Sequence, residues 1–164
     1  MLDVSKVVFD ALNNGWVNPA QLLDCNVEAV ESDTVDVKLL STEMQNKGSY
    51  NFACRSAIMI LVVVKHPTLY KQKCYDLVNY IMRKLLESPD LYSKLGLPQQ
   101  FDINYQFDDK GDSNFAVGSI RFSVNYLDSV SSISSNPNIS TLAGISGKID
   151  VAVPNTVIDG YFNR

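Results

Sequence analysis

Hydrophobic and polar positions change their spacing several times along this chain, and each change predicts an element. Residues 4 to 12, VSKVVFDAL, put Val4, Val7, Val8, Ala11 and Leu12 on one side of a short amphipathic helix, with Asp3 placed to cap it and the sequence NNG to end it. VNPAQLLDCNVEAV reads as a loop or short turn leading into extended chain. TVDVKLL then alternates Val35, Val37 and Leu39 against Asp36 and Lys38, as a strand with one wet face does. Residues 43–49, EMQNKGS, carry turn chemistry, and the chain is expected to extend again from Tyr50.

The next stretch is the most apolar in the molecule. Phe52, Cys54, Ser56, Ile58, Ile60, Val62 and Val64 share one face of the predicted strand, and Ala53, Arg55, Ala57, Met59, Leu61 and Val63 share the other. The first half is mixed and the second half apolar on both sides, so the strand must be central in its sheet, or its second face must meet another subunit. Its eight uninterrupted apolar residues, Ala57 to Val64, fall well short of the ~20 that a membrane-spanning helix needs.

Pro67 suits the first turn of a helix. Beyond it, Cys74, Leu77, Val78, Ile81, Met82, Leu85 and Leu86 recur at helical spacing, opposite Asp76, Asn79, Arg83, Lys84 and Glu87. SPDLYSKLGLPQ is expected to end that helix in a turn punctuated by Pro89, Gly96 and Pro98. FDINYQF sets Phe101, Ile103, Tyr105 and Phe107 against Asp102, Asn104 and Gln106. With NFAVGSIRFSVNYL it predicts a β-hairpin around the polar connector DDKGDS, whose tip is acidic.

After Asp128 the texture turns rich in Ser, Asn and Gly, as in an extended linker, until KIDVAVPNTVIDGYFNR recovers enough Val and Ile for a short strand that Pro154 confines to an edge. The organisation expected is therefore a domain over residues 1–128 and a linker with a C-terminal arm over 129–164. That arm could add itself to a sheet edge of its own subunit or of a neighbour.

Composition sets bounds on this picture. The 164 residues, 46% hydrophobic and 20% charged, suit one folded domain with a tail. The net charge of −4 and the lack of clustered Lys and Arg give no footprint for nucleic acid. Cys25, Cys54 and Cys74 are odd in number with no CxxC pair, which points to a reducing compartment and to neither a disulfide framework nor a zinc site. MLDVSKVVFDALNNG lacks the basic and continuous apolar regions of a signal peptide.

Candidate chemistry is sparse. His66 is the single histidine, so every Ser-His-Asp or Cys-His scheme would pass through it; its place before a proline at a strand-to-helix junction reads more simply as a helix-capping or surface residue. DDKGD lacks the spacing of a calcium loop and reads as a solvated hairpin tip. AGISG stands in the wrong context for a nucleophile elbow, and neither a P-loop nor a dinucleotide fingerprint is present. The eight Tyr and seven Phe are expected to serve core packing and subunit contacts, since acidic surroundings disfavour stacking on nucleic acid. No catalytic, cofactor or metal residue is assigned.

Three stretches carry a resemblance: SYNFACRSAIMILVVVKH, a long strand passing from polar to apolar; YKQKCYDLVNYIMRKLL, the helix after it; and FDINYQFDDKGDSNFAVGSIRFSVNYLDSV, a hairpin closing on FSVNY. In element order over residues 1 to 130 the chain resembles the tail terminator, or tail completion, proteins of long-tailed bacteriophages. The resemblance implies an α+β sheet with helices packed on one face, in keeping with the fold expected from the residues: a mainly antiparallel sheet with two amphipathic helices packed on one face, a β-hairpin and an extended C-terminal arm. It also implies a structural virion protein that needs no cofactor. Assembled in the host cytoplasm, it would form a homo-oligomeric, hexameric ring in the tail or neck of the virion.

That ring would cap the tail tube protein and join it to a neck or connector protein, with the sheath as a further partner. DNA would pass its lumen without specific binding, and no membrane would be involved. Interface or lumen residues expected on this reading are Arg55, Asp108, Asp109, Lys110, Asp112, Val151 and Val153. The stretch from Ser129 to Arg164 is longer than the family pattern, which leaves open another neck or head-completion protein. From a different class, a small cytosolic ligand-binding domain or enzyme on the same sheet is the alternative.

Overall fold

The computed structural model describes residues 2–23, 33–109 and 114–129. The expected N-terminal helix is present as α1, Val4–Asn13: the Asp3 carboxylate accepts from the Lys6 amide and the Ser5 hydroxyl, and Val4, Val8 and Leu12 are buried. Those two hydrogen bonds to its charged form hold the Asp3 carboxyl below the usual carboxylate range. Two short elements arise where the sequence predicts loop or turn. One is β1, Gln21–Leu23, within the expected loop.

The other follows α2, Tyr70–Leu86, and is a helix, α3, Pro89–Leu95. Ser88 caps it, Pro89 opens it, and Gly96 closes it at φ +71°. The punctuation marks both ends of a short helix, Pro at the start and Gly past the end, instead of one turn. The apolar face of α2 is buried as expected at Cys74, Leu77, Val78, Ile81 and Leu85, while Leu86 at its end is exposed.

The sheet has the order β1-β2-β3-β5-β4, with β2 spanning Thr34–Gly48, β3 Asn51–Lys65, β4 Phe101–Asp108 and β5 Phe115–Ser129. Every pair is antiparallel except β1 with β2. The expected β4–β5 hairpin is there, running from Phe101 opposite Phe122 to Asp108 opposite Phe115. The fold is thus α+β, with all three helices on one face of a mostly antiparallel sheet.

The expected turn over residues 43–49 is corrected. β2 continues as strand to Gly48, and the reversal is made by Ser49 and Tyr50 alone, at φ +49° and +65°. A two-residue hairpin loop with both central residues at positive φ matches the right-handed twist of its strands, although it usually recruits Asn-Gly. The polar residues of EMQNKG lie in the strand because both faces of β2 are exposed from Lys38 onwards, so no burial selects an alternating pattern there.

The core lies between the helices and the face of β3 that carries Cys54, Ser56, Ile58, Ile60, Val62 and Val64, all of them buried. β5 adds Ala116, Ile120, Phe122, Val124 and Tyr126. α2 crosses β5 at Gly118, where a Cβ would stand 2.8 Å from Val78 Cγ2 and 3.2 Å from Cys74 Sγ. Burial, with the Asp33 carboxylate nearby, pushes the Cys74 thiol up to about 11, the behaviour of an inert structural cysteine.

Candidate functional site

His66 ends β3 and organises the passage into α2. Its Nδ1 accepts from the amides of Thr68 at 3.2 Å and Leu69 at 2.9 Å, its own amide donates to the Asn114 carbonyl, and Asn114 Nδ2 donates to the Pro67 carbonyl. Its ring holds the turn over residues 67–69 that leads into α2, whose own N-cap position, Leu69, has no side-chain cap hydrogen bond. His66→Ala is expected to lower stability by about 1 kcal/mol, as loss of side-chain-to-amide hydrogen bonds typically does, and His66→Asn to recover most of that; urea unfolding of the three chains checks it.

The acidic hairpin tip is divided in the structure. Asp109 takes a hydrogen bond from the Tyr70 hydroxyl and an ion pair from Lys71 Nζ at 3.2 Å, and these two contacts hold its carboxyl below the usual range. It ties the hairpin to the start of α2, where Lys71 Nζ also lies 5.4 Å from the Phe107 ring centroid. Asp108 closes β4 opposite Phe115. Lys110, Asp112, Val151 and Val153, with the linker and arm over 130–164, lie outside the described residues. The aromatics of β4 pack against α2: Tyr75 meets Tyr105 at 4.6 Å and Phe107 at 5.8 Å between ring centroids.

The helix-free face of the sheet is a surface that the core does not explain. Ala53, Ala57, Met59, Leu61 and Val63 of β3 run down its centre, half-buried only by their neighbours on β2 and β5. The expectation that this strand is central holds, and among the described residues no helix covers its second face. Polar residues flank the apolar row: Asp36 and Lys38, ion-paired at 3.0 Å, stand opposite Leu61 and Met59 on one side, with Ser119 and Arg121 on the other. One Asp36 oxygen is buried without a hydrogen-bond partner among the described residues. Arg55 is exposed on this face, level with Glu43 and Asn125.

Two sheet edges add to that face. β2 is paired on its outer side only over Thr34–Asp36, so among the described residues its edge is open from Val37 to Gly48. Among the described residues β4 is the last strand on the opposite side. Sequence reading missed the β2 edge because it ended that strand too early; the signal was the lack of any strong breaker between Lys38 and Gly48.

An open-sided cleft of about 900 Å³ lies between α3 and the far end of the sheet, with Glu43, Arg55, Tyr92 and Lys94 among its lining residues. Among the described residues no three His, Cys, Asp or Glu side chains gather as metal ligands, and no helix is long and apolar enough to cross a membrane. No family model and no curated protein matches this chain.

Proposed function

We propose that this protein is a structural subunit of a phage tail, a terminator whose copies close into a ring that caps the tail tube and joins it to the neck. The observation that carries this reading is the placement of the unpaired surfaces: an open edge on each side of one sheet, and between them an apolar row without a helix over it. Exposed strand edges invite pairing with another chain. A subunit with different contact surfaces on its two sides makes heterologous contacts, which close into rings when the rotation fits. The elements on which the resemblance rests, the long central strand, α2 and the hairpin, follow one another in the chain in the expected order.

On this reading the partners are further copies of the chain, the tube protein and a connector. Asp108 and Asp112 belong to the surface past which DNA slides by like-charge repulsion, and Asp109 serves chiefly to anchor the hairpin. The test is to add the purified chain to polymerised tube protein and image the ends by negative-stain electron microscopy. The expected result is a ring on one end of each tube; tubes with bare ends at saturating protein would contradict the reading.

A further inference from the structure

We infer that the ring closes by β-strand addition, the open edge of β2 in one copy pairing antiparallel with β4 of the next in a single register. The inference deepens the ring reading and rests on it. In sheet order β2, β3, β5 and β4 alternate in direction, so β4 runs opposite to β2. When identical copies are set side by side in one orientation, the β4 edge therefore meets the next β2 edge as an antiparallel pair, and the same contact repeats at every step.

The side chains select the register. On the helix side of the two edges, Leu39 and Met44 of β2 are 44% and 40% exposed, and Ile103 and Phe107 of β4 are each 37% exposed. Ile103 and Phe107 are four residues apart. Leu39 and Met44 are five apart in sequence, but the irregularity between Leu39 and Ser41 removes one step from the ladder, and their partners Ile58 and Cys54 are four apart.

Ile103 can thus face Met44 while Phe107 faces Leu39. The helix-free side then falls into place without a like-charge contact: Asp102 meets Gln45, Asn104 meets Glu43, Gln106 meets Ser41 and Asp108 meets Lys38. A bulge and a lysine ordinarily protect an edge from indiscriminate pairing. Here they also make the edge selective, since only a strand with apolar residues four apart and an acid at the matching end fits. An antiparallel pair of two β4 strands over residues 102–108 would set Asp102 against Asp108 at both ends, which disfavours that register.

The register also gives a geometry for closure. Phe101 stands level with Ile58 of its own sheet through Phe122, and in the proposed pair it stands level with Phe52 of the next copy through Asn46. Each copy is therefore displaced by six residues, about 20 Å at ~3.3 Å per residue, for about 19 Å across four strands. That ratio tilts the strands by about 45°, at the upper end of the range in closed barrels.

Cysteine pairs in the full-length chain test the register. Met44→Cys with Ile103→Cys in one chain, and separately Glu43→Cys with Asn104→Cys, one residue along and so the other type of site in the ladder, are oxidised with and without tube protein. Both double variants are then run on a non-reducing gel beside the single variants and the unmodified chain. The expected result is a ladder of covalent oligomers from at least one double variant and none from the singles. Cross-linking by Met44→Cys alone would mean that β2 pairs with β2, and would overturn the inference. Absence of cross-links from both double variants in either condition would overturn it as well. A ring seen by light scattering without cross-links sinks the register and leaves the ring reading standing; a cross-linked ladder that ignores the tube keeps the register and sinks the terminator reading.

Discussion

Gly118→Val is expected to prevent the native seating of α2 on β5 and to cost about 3 kcal/mol, the upper end of the usual overpacking penalty. Overpacking a filled core typically costs about 1–3 kcal/mol, occasionally more. The Cβ of any residue at this position would meet Val78 Cγ2 at 2.8 Å and Cys74 Sγ at 3.2 Å, and valine adds two further methyl groups. Neither neighbour can step aside, because Cys74 and Val78 are fully buried on the face of α2 that meets the sheet. A chain of this size typically loses about 2–4 °C in Tm per kcal/mol, so thermal unfolding reads the change directly.

Gly118→Ala is expected to lose less, because a strand alanine regains part of the backbone entropy that glycine forfeits. Adding Val78→Ala to it is expected to restore part of the loss, a coupling that independent sites do not show. If Gly118→Val unfolds at the temperature of the unmodified chain, α2 does not lie on β5 as described.

Ile60→Ala is the second large effect. Ile60 is fully buried at the middle of β3, between Val37 and Ile120 in the ladder, and truncating such a residue typically costs about 2–5 kcal/mol through lost transfer energy and the cavity left behind. Its neighbour Leu61 points to the helix-free face and is only half-buried, so Leu61→Ala is expected to cost the isolated subunit much less. If that face is covered in the assembly, the order changes. Leu61→Ala then weakens the oligomer while leaving subunit stability nearly intact, and comparing urea unfolding with oligomer mass for the two variants separates the roles.

Where burial selects side chains, the sequence was legible. The two faces of β3, the buried stripe of α2 and the capped helix from Val4 follow the expected periodicities because one side of each packs on the core. Legibility failed where packing makes no demand. From Lys38 to Gly48 the β2 strand is exposed on both faces, so its polar residues imitated a loop, and Ser49-Tyr50 is not the usual pair for a two-residue turn. α3 is short, and its Pro89 and Gly96 read as breakers although they sit at its two ends.

The candidate surface was only half visible. The double-sided apolar run of β3 announced it, but which face the helices would leave bare depends on contacts that no local pattern encodes. The acidic tip looked uniform in sequence, yet Asp109 is bound to Tyr70 and Lys71, residues 39 and 38 positions away.

The central claim is that copies of this chain assemble through the open edges of its sheet into a ring. Its most direct test is the mass of the full-length protein in solution, measured by light scattering coupled to size exclusion over a range of concentrations, with and without tube protein. The account predicts a single closed species of six subunits, alone or once the tube is present. A monomer at every concentration that also ignores the tube would contradict it.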